Sequence, residues 1–259
     1  MRLASETFDL PGGYVDSDGE ASLLYDQLTV REMTGVEEDM MTDRKKVQSG
    51  LVINDLIANC CVLKHSASGK EMKLNSDQVL NMLAGDRMFA LIKIREVSHS
   101  PLYQFALKCG CGKMNKFEID LSKLPVTKLQ NPMVREHEFA FKDEDAPGGE
   151  SVILFKNMDG HAEQKMKLLL DQHPGQLFTV NLAARSLKLN GDDTRFFPYL
   201  QKLPKRIRNA YMKAAGQIEC GLDLSMTKQP IHDCQQCGAD FNSDIPLDDP
   251  NFFYPASGE

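Results

Sequence analysis

The chain has 259 residues, 42% hydrophobic and 26% charged, the balance of a folded globular protein with a sizeable core. Its formal net charge is -7, with 30 basic against 37 acidic side chains, which weighs against a general polyanion binder. No apolar run approaches the roughly 18 residues that a membrane span needs, so a membrane protein is not expected.

Residues 1–25 read as an N-terminal arm. Leu10-Pro11-Gly12-Gly13-Tyr14 is a turn signal, and 16–20 is polar and acidic, with little to bury on its own side. Leu28 to Met33 predicts a short strand, and Thr34 suits the cap of a helix starting near Gly35. The apolar stretch 50–62 predicts a core helix. Asn75-Ser76-Asp77 is a capping cluster ahead of a helix through Val79, Leu83, Phe89 and Ile92, which Gly85-Asp86 is expected to kink or split.

After Pro101 the period changes to two. Tyr103, Phe105 and Leu107 alternate, as do Phe117, Ile119 and Leu121, predicting a hairpin with Cys109-Gly110-Cys111-Gly112 at its tip. Further strands are expected over 134–141 and 151–155, joined by an acidic Pro-Gly-Gly loop. Helices are expected over 163–171, 177–189 and through Phe196 to Tyr211. Ile218 to Met226 alternates as a strand. The segment 231–247 predicts a second hairpin around Cys234-Gln235-Gln236-Cys237-Gly238, followed by an acidic tail holding Phe252-Phe253-Tyr254.

The cysteines carry the strongest chemical signal. There are 7, an odd number, and the start of the chain lacks the basic-then-apolar layout of an export signal, which favours metal binding or free thiols over disulfides. Cys109-x-Cys111 and Cys234-x-x-Cys237 are each closed by a glycine, the residue that tolerates φ > 0 where a knuckle turns its amides toward thiolates. Ile119 and Leu121 fall eight and ten positions after Cys111, and Ile245 and Leu247 fall eight and ten after Cys237. This pseudo-repeat predicts that Cys109, Cys111, Cys234 and Cys237 close one tetrahedral zinc site. Four thiolates leave no vertex for water, so the zinc is expected to be structural. His232, two residues before Cys234, is the alternative fourth ligand. Cys60 and Cys61 read as packed thiols, and Cys220 as facing a strand core.

Other features are less specific. From Thr194 to Ile218 there are Arg195, Lys202, Lys205, Arg206, Arg208 and Lys213 and no acid: either a solvated helix face or a patch for an acidic surface. The aromatic tail either folds back on the core or plugs into a partner. The chain has no Walker loop, G-x-G-x-x-G fingerprint, G-x-S-x-G elbow or H-E-x-x-H pair.

A family resemblance rests on the run from Leu74 and Gln78 through Asp86-Arg87 and Leu91 to Arg95, and on the first cysteine hairpin with Phe117 to Leu121. It also rests on the ending Cys234-x-x-Cys237-Gly238, Ile245-Pro246-Leu247 and Phe252-Phe253, and on the opening Leu10 to Tyr14. Together these resemble the T-even-type baseplate hub and tail-assembly proteins of contractile phages. The resemblance implies a virion structural or assembly protein of the tail baseplate, made in the host cytoplasm, without catalysis, and in contact with other tail proteins in several symmetric copies. The stretch 147–217 matches only in being helical, and the first pair is C-x-C where many relatives have C-x-x-C.

The expected architecture is α+β, with helices packed around two cysteine-tipped hairpins that form a zinc-ribbon-like module. The expected divisions are an arm (1–25), a mainly helical region (26–100), the first cysteine hairpin and strands (101–156), a helical region (157–217), the second cysteine hairpin (218–247) and an aromatic tail (248–259). Expected partner contacts are Tyr14, Lys205, Arg206, Arg208, Phe252, Phe253 and Tyr254. The rival readings are a nucleic-acid-associated zinc ribbon using Lys205, Arg206 and Arg208, and a small enzyme using Cys220 or Cys60.

Overall fold

A computed structural model describes residues 3–16, 22–42, 51–146, 148–247 and 252–253. Among them lie eight α-helices and four small antiparallel sheets, a mixed α and β architecture.

The first sheet has the order β1 (Ser5–Asp16), β2 (Leu23–Arg31), β3 (Cys61–Lys64), β4 (Glu71–Lys73). In β2 the alternation that buries Leu28 and Val30 and leaves Thr29 half-buried is the period-2 signature of a one-faced strand. The predicted arm is therefore largely a strand. Its Pro-Gly-Gly sits at a register shift between Asp9 and Tyr14, a bulge inside β1 rather than a turn between elements. Bulges and turns both accept Pro and Gly, so the composition alone does not separate them.

Helix α1 (Gly35–Thr42) and α2 (Leu51–Cys60) follow. Asn75 caps α3 (Ser76–Leu80) with a reciprocal pair: its side chain accepts from the Gln78 amide at 2.8 Å, and its own amide donates to Gln78 Oε1 at 3.0 Å. The chain breaks before α4 (Ala84–Ser98), just ahead of the Gly85 expected to split it. Gly85 is required by a close approach, since a Cβ there would lie 2.0 Å from the Cys220 carbonyl oxygen. Helix α4 is central and buried nearly all round, burying Phe89, Leu91, Ile92 and Ile94. Even its Arg95 is buried, donating to the carbonyls of Ser100, Leu102 and Phe252.

The first cysteine hairpin is β5 (Leu102–Lys108) and β6 (Met114–Asp120), paired with Phe105 opposite Phe117. Its inner face packs with Ile92, Met226, Ile245 and Phe252 in one cluster. Strand β7 (Val126–Thr127) later pairs with β11 (Gly221–Leu222). The fourth sheet joins β8 (Glu136–Lys142), β9 (Glu150–Lys156) and β10 (Ser186–Leu189). Over it pack α5 (Gly160–Gln172), α6 (Leu177–Arg185), α7 (Phe196–Lys202) and α8 (Lys205–Gln217), burying Phe155, Val180, Leu200 and Tyr211.

Three expected elements differ. The helix over 177–189 stops at Arg185, because Ser186-Leu187-Lys188-Leu189 pairs with β9. The strand over 218–226 shrinks to Gly221–Leu222, and a short 3-10 turn (Met226–Lys228) follows. The second hairpin has no ladder. Its polar sequence supports only isolated bridges, Ser225 with Asp244 and Asp233 with Asp240.

Candidate metal centre

The two cysteine knuckles are built alike. In the first, the Gly112 amide donates to the Cys109 carbonyl at 2.9 Å, and the Cys109 amide donates to the Lys113 carbonyl at 2.8 Å. In the second, the Gly238 amide donates to the Cys234 carbonyl at 2.8 Å, and the Cys234 amide donates to the Ala239 carbonyl at 2.9 Å. The two closing glycines have φ of 93° and 69°, in the left-handed region where a side chain is strained. The extra residue of the second knuckle changes the loop length, not this bonding plan.

Together the knuckles bring Cys109, Cys111, Cys234 and Cys237 into one group whose sulfurs all lie within 4.8 Å of one another. Cys109 Sγ is 3.6 Å from Cys237 Sγ, and Cys111 Sγ is 3.7 Å from Cys234 Sγ. Zinc–sulfur bonds of about 2.3 Å in a tetrahedron separate sulfurs by about 3.8 Å. Disulfides need about 2.05 Å, and all four thiols are free. The donor set and spacing therefore fit a closed four-thiolate shell. Cys109 and Cys234 are buried, whereas Cys111 and Cys237 are exposed. Backbone amides of Gln236 and Cys237 aim at Cys234 and lower its thiol, while the neighbouring sulfurs raise Cys237, so the first thiolate of the group forms at Cys234.

Sequence reasoning missed Asn115. It is buried, with Nδ2 at 3.6 Å from Cys234 Sγ, and its Oδ1 accepts from the Gln235 amide at 3.1 Å. One side chain on β6 thus braces the opposite knuckle. The signal was present: Asn115 occupies the buried phase of Asn115, Phe117, Ile119, where an apolar residue is the rule. His232 is not in the sulfur group. Its ring bonds through Nδ1 to the Gln229 carbonyl and faces Asp240 at 3.8 Å.

The remaining three cysteines, Cys60, Cys61 and Cys220, lie outside the sulfur group. Burial pushes the Cys60 thiol up to about 12 and raises Cys61 and Cys220 as well.

The expected partner contacts divide. Tyr14 is buried in the core beside β2, because the bulge of β1 turns inward there. Phe252 is also buried, set edge-on against Tyr103, with its carbonyl accepting from Arg95. Both are packed in the core of the described chain, and Phe253 is half-buried against the same clusters. Tyr254 lies outside the described residues, as do Asp248, Asp249 and Glu259 of the acidic tail. Lys205 and Arg206 are exposed on α8 and Arg208 is half-buried, but they do not share one face. Arg206 lines a cavity with Asp143, Glu144 and Asp145, while Lys205 and Arg208 line a different one against α6.

A family model described as T4 bacteriophage base plate protein matches residues 14–169, more than half of the chain. The match contains the first cysteine pair and ends before the second. No curated protein and no solved structure matches.

Proposed function

Because the chain belongs to the T4 bacteriophage base plate protein family, and is thus a component of the phage tail baseplate, we propose that it acts as a zinc-stapled scaffold. In this reading it sits in the hub or wedge region or serves as an assembly factor there. Cys109, Cys111, Cys234 and Cys237 hold the zinc. The ion joins the β5–β6 hairpin to the C-terminal knuckle in a zinc-ribbon-like module and does no chemistry on a substrate.

The observation that carries this reading is the convergence of two knuckles with one bonding plan on sulfur spacings that suit zinc. Closing so long a loop is entropically costly, and structural zinc supplies on the order of 10 kcal/mol. The knuckle polypeptide meets the hairpin core through a few apolar side chains: Ile245 is buried there and Phe241 packs edge-on against Phe117 at 5.3 Å. A saturated metal shell fixes the two cysteine segments relative to each other without needing a large core between them. The non-enzymatic role agrees with the family and with burial that raises the Cys60 and Cys220 thiols. A nucleic-acid ribbon is disfavoured because Arg206 lines a different cavity from Lys205 and Arg208, one it shares with Asp143, Glu144 and Asp145.

The test is Cys237→Ser introduced into the phage genome and into the purified chain. The reading predicts loss of bound zinc, a melting temperature lower by roughly 10 °C and fewer completed tails. Unchanged melting with normal tail assembly would overturn it.

A further inference from the structure

One groove lies in the part of the chain that the family match leaves uncovered. It runs between α6 and α8 with a volume of roughly 450 Å³. Phe178, Thr179 and Leu182 form one wall, and Lys205, Arg208 and Met212 form the other. On each helix the lining residues recur at spacings of three and four, so both walls are continuous helical faces.

The groove is apolar at its floor and cationic along one rim. Phe178 is 71% exposed and Leu177, beside it, 52%, while Leu182 below is buried. A phenylalanine held so far out of the core on an ordered helix gains nothing for the fold of the isolated chain. Among the described residues no carboxylate pairs with the Lys205 and Arg208 side chains of the rim. Arg208 Nε is buried with no hydrogen-bond partner, and Arg208 Nη1 reaches only Thr179 Oγ1, at 3.5 Å. Lys205 occupies the first turn of α8, where the helix dipole already favours anions, and no side chain caps that end. Cations there are locally unfavourable unless something negative covers them. In a chain of net charge -7, an acid-free stretch from Thr194 to Ile218 stands out.

We propose that this groove docks an amphipathic helix of a neighbouring baseplate protein, its apolar face against Phe178, Leu182 and Met212 and its carboxylates on Lys205 and Arg208. A cleft between two helices receives a third by the helix-in-groove mode, with apolar residues anchoring and charges setting partner and register. The choice of an acidic partner follows from charge complementarity at the rim. The inference rests on the reading of the chain as a scaffold with protein partners, but not on the zinc.

The test is fluorescence anisotropy on the full chain with a labelled amphipathic helical peptide, leucine and phenylalanine on one face and glutamate on the other. Saturable binding is expected. Phe178→Ala, Lys205→Gln and Arg208→Gln should each weaken it by about tenfold, whereas Arg206→Gln should leave it unchanged. A peptide with lysine in place of glutamate should not bind. Phe178 and Lys205 are exposed, so their variants keep the fold and the test survives if Arg208→Gln does not. Three results would overturn the proposal: no saturable binding, equal loss with Arg206→Gln, or concentration-dependent self-association abolished by Phe178→Asp, which would assign the groove to a second copy. Zinc content measured alongside separates the outcomes, since failure of the peptide to bind a zinc-loaded chain leaves the stapled scaffold standing.

Discussion

The sulfurs of Cys111 and Cys234 lie 3.7 Å apart although 123 positions separate them in the chain. Two sheets and four of the eight described α-helices lie between them, enclosed in the loop that this contact closes. The second knuckle has almost no ladder of its own. Its position is set by the sulfurs, by Asn115, by the burial of Ile245, by Phe241 against Phe117 and by the Tyr103 hydroxyl donating to the Pro246 carbonyl.

Asn115 should matter to the metal without touching it. Its amide faces Cys234 Sγ and its carbonyl holds the Gln235 amide, so Asn115→Ala leaves that amide without its partner and removes a donor to a thiolate. Outer partners of metal ligands are typically worth 10–100-fold in affinity. Competition against a chromophoric zinc chelator should show a loss of about that size, with secondary structure unchanged. An affinity equal to wild type would remove Asn115 from the account.

Phe252 anchors the end of the chain. It is 2% exposed, packs edge-on against Tyr103 at a centroid distance of 5.2 Å, and its carbonyl takes a hydrogen bond from Arg95. Phe252→Ala should cost about 3–5 kcal/mol in denaturant unfolding, the usual penalty for emptying a large aromatic site. A cost below about 1 kcal/mol would mean that the tail is not part of the core.

Asp86 gives the chain a pH signature. Its carboxylate is buried with Oδ2 unpartnered, and burial raises it to about 7, against smaller opposing effects from the Gly12 amide and Arg135. The folded state therefore binds this proton more tightly than the unfolded state does. The associated stability is fully present below about 4, where both states are protonated, and is lost as pH rises through about 7. Asp86→Asn keeps the acceptor for the Gly12 amide and removes the charge. It should flatten the pH dependence of melting between 4 and 7 and raise the melting temperature at pH 8. A variant with the wild-type pH slope would contradict this.

Much of the site was legible because its chemistry is local in sequence. Each cysteine pair carries its own glycine, and the turn at Gly112 or Gly238 follows from a few residues. The β5–β6 hairpin was equally clear, since Tyr103 to Leu121 alternates cleanly. What escaped depends on distant partners. Pro11-Gly12-Gly13 has turn composition, yet it is a bulge whose peptide groups are held by Asp86 and Arg135, residues far along the chain. Ser186 to Leu189 continues an apolar helical pattern but is claimed by β9. Lys205, Arg206 and Arg208 read as one patch, because sequence proximity does not reveal that an acidic loop lies beside Arg206 alone. Tyr14 and Phe252 carry aromatic side chains in polar or Pro-Gly surroundings, which look like contact arms until the core that receives them is known.

The most direct test is zinc K-edge X-ray absorption on the chain purified without added chelator, together with its metal content. The stapled scaffold predicts one zinc per chain, with four sulfur neighbours at about 2.3 Å and no oxygen or nitrogen in the first shell. A chain that folds and melts normally without metal, or a shell with a solvent oxygen at an open vertex, would contradict it.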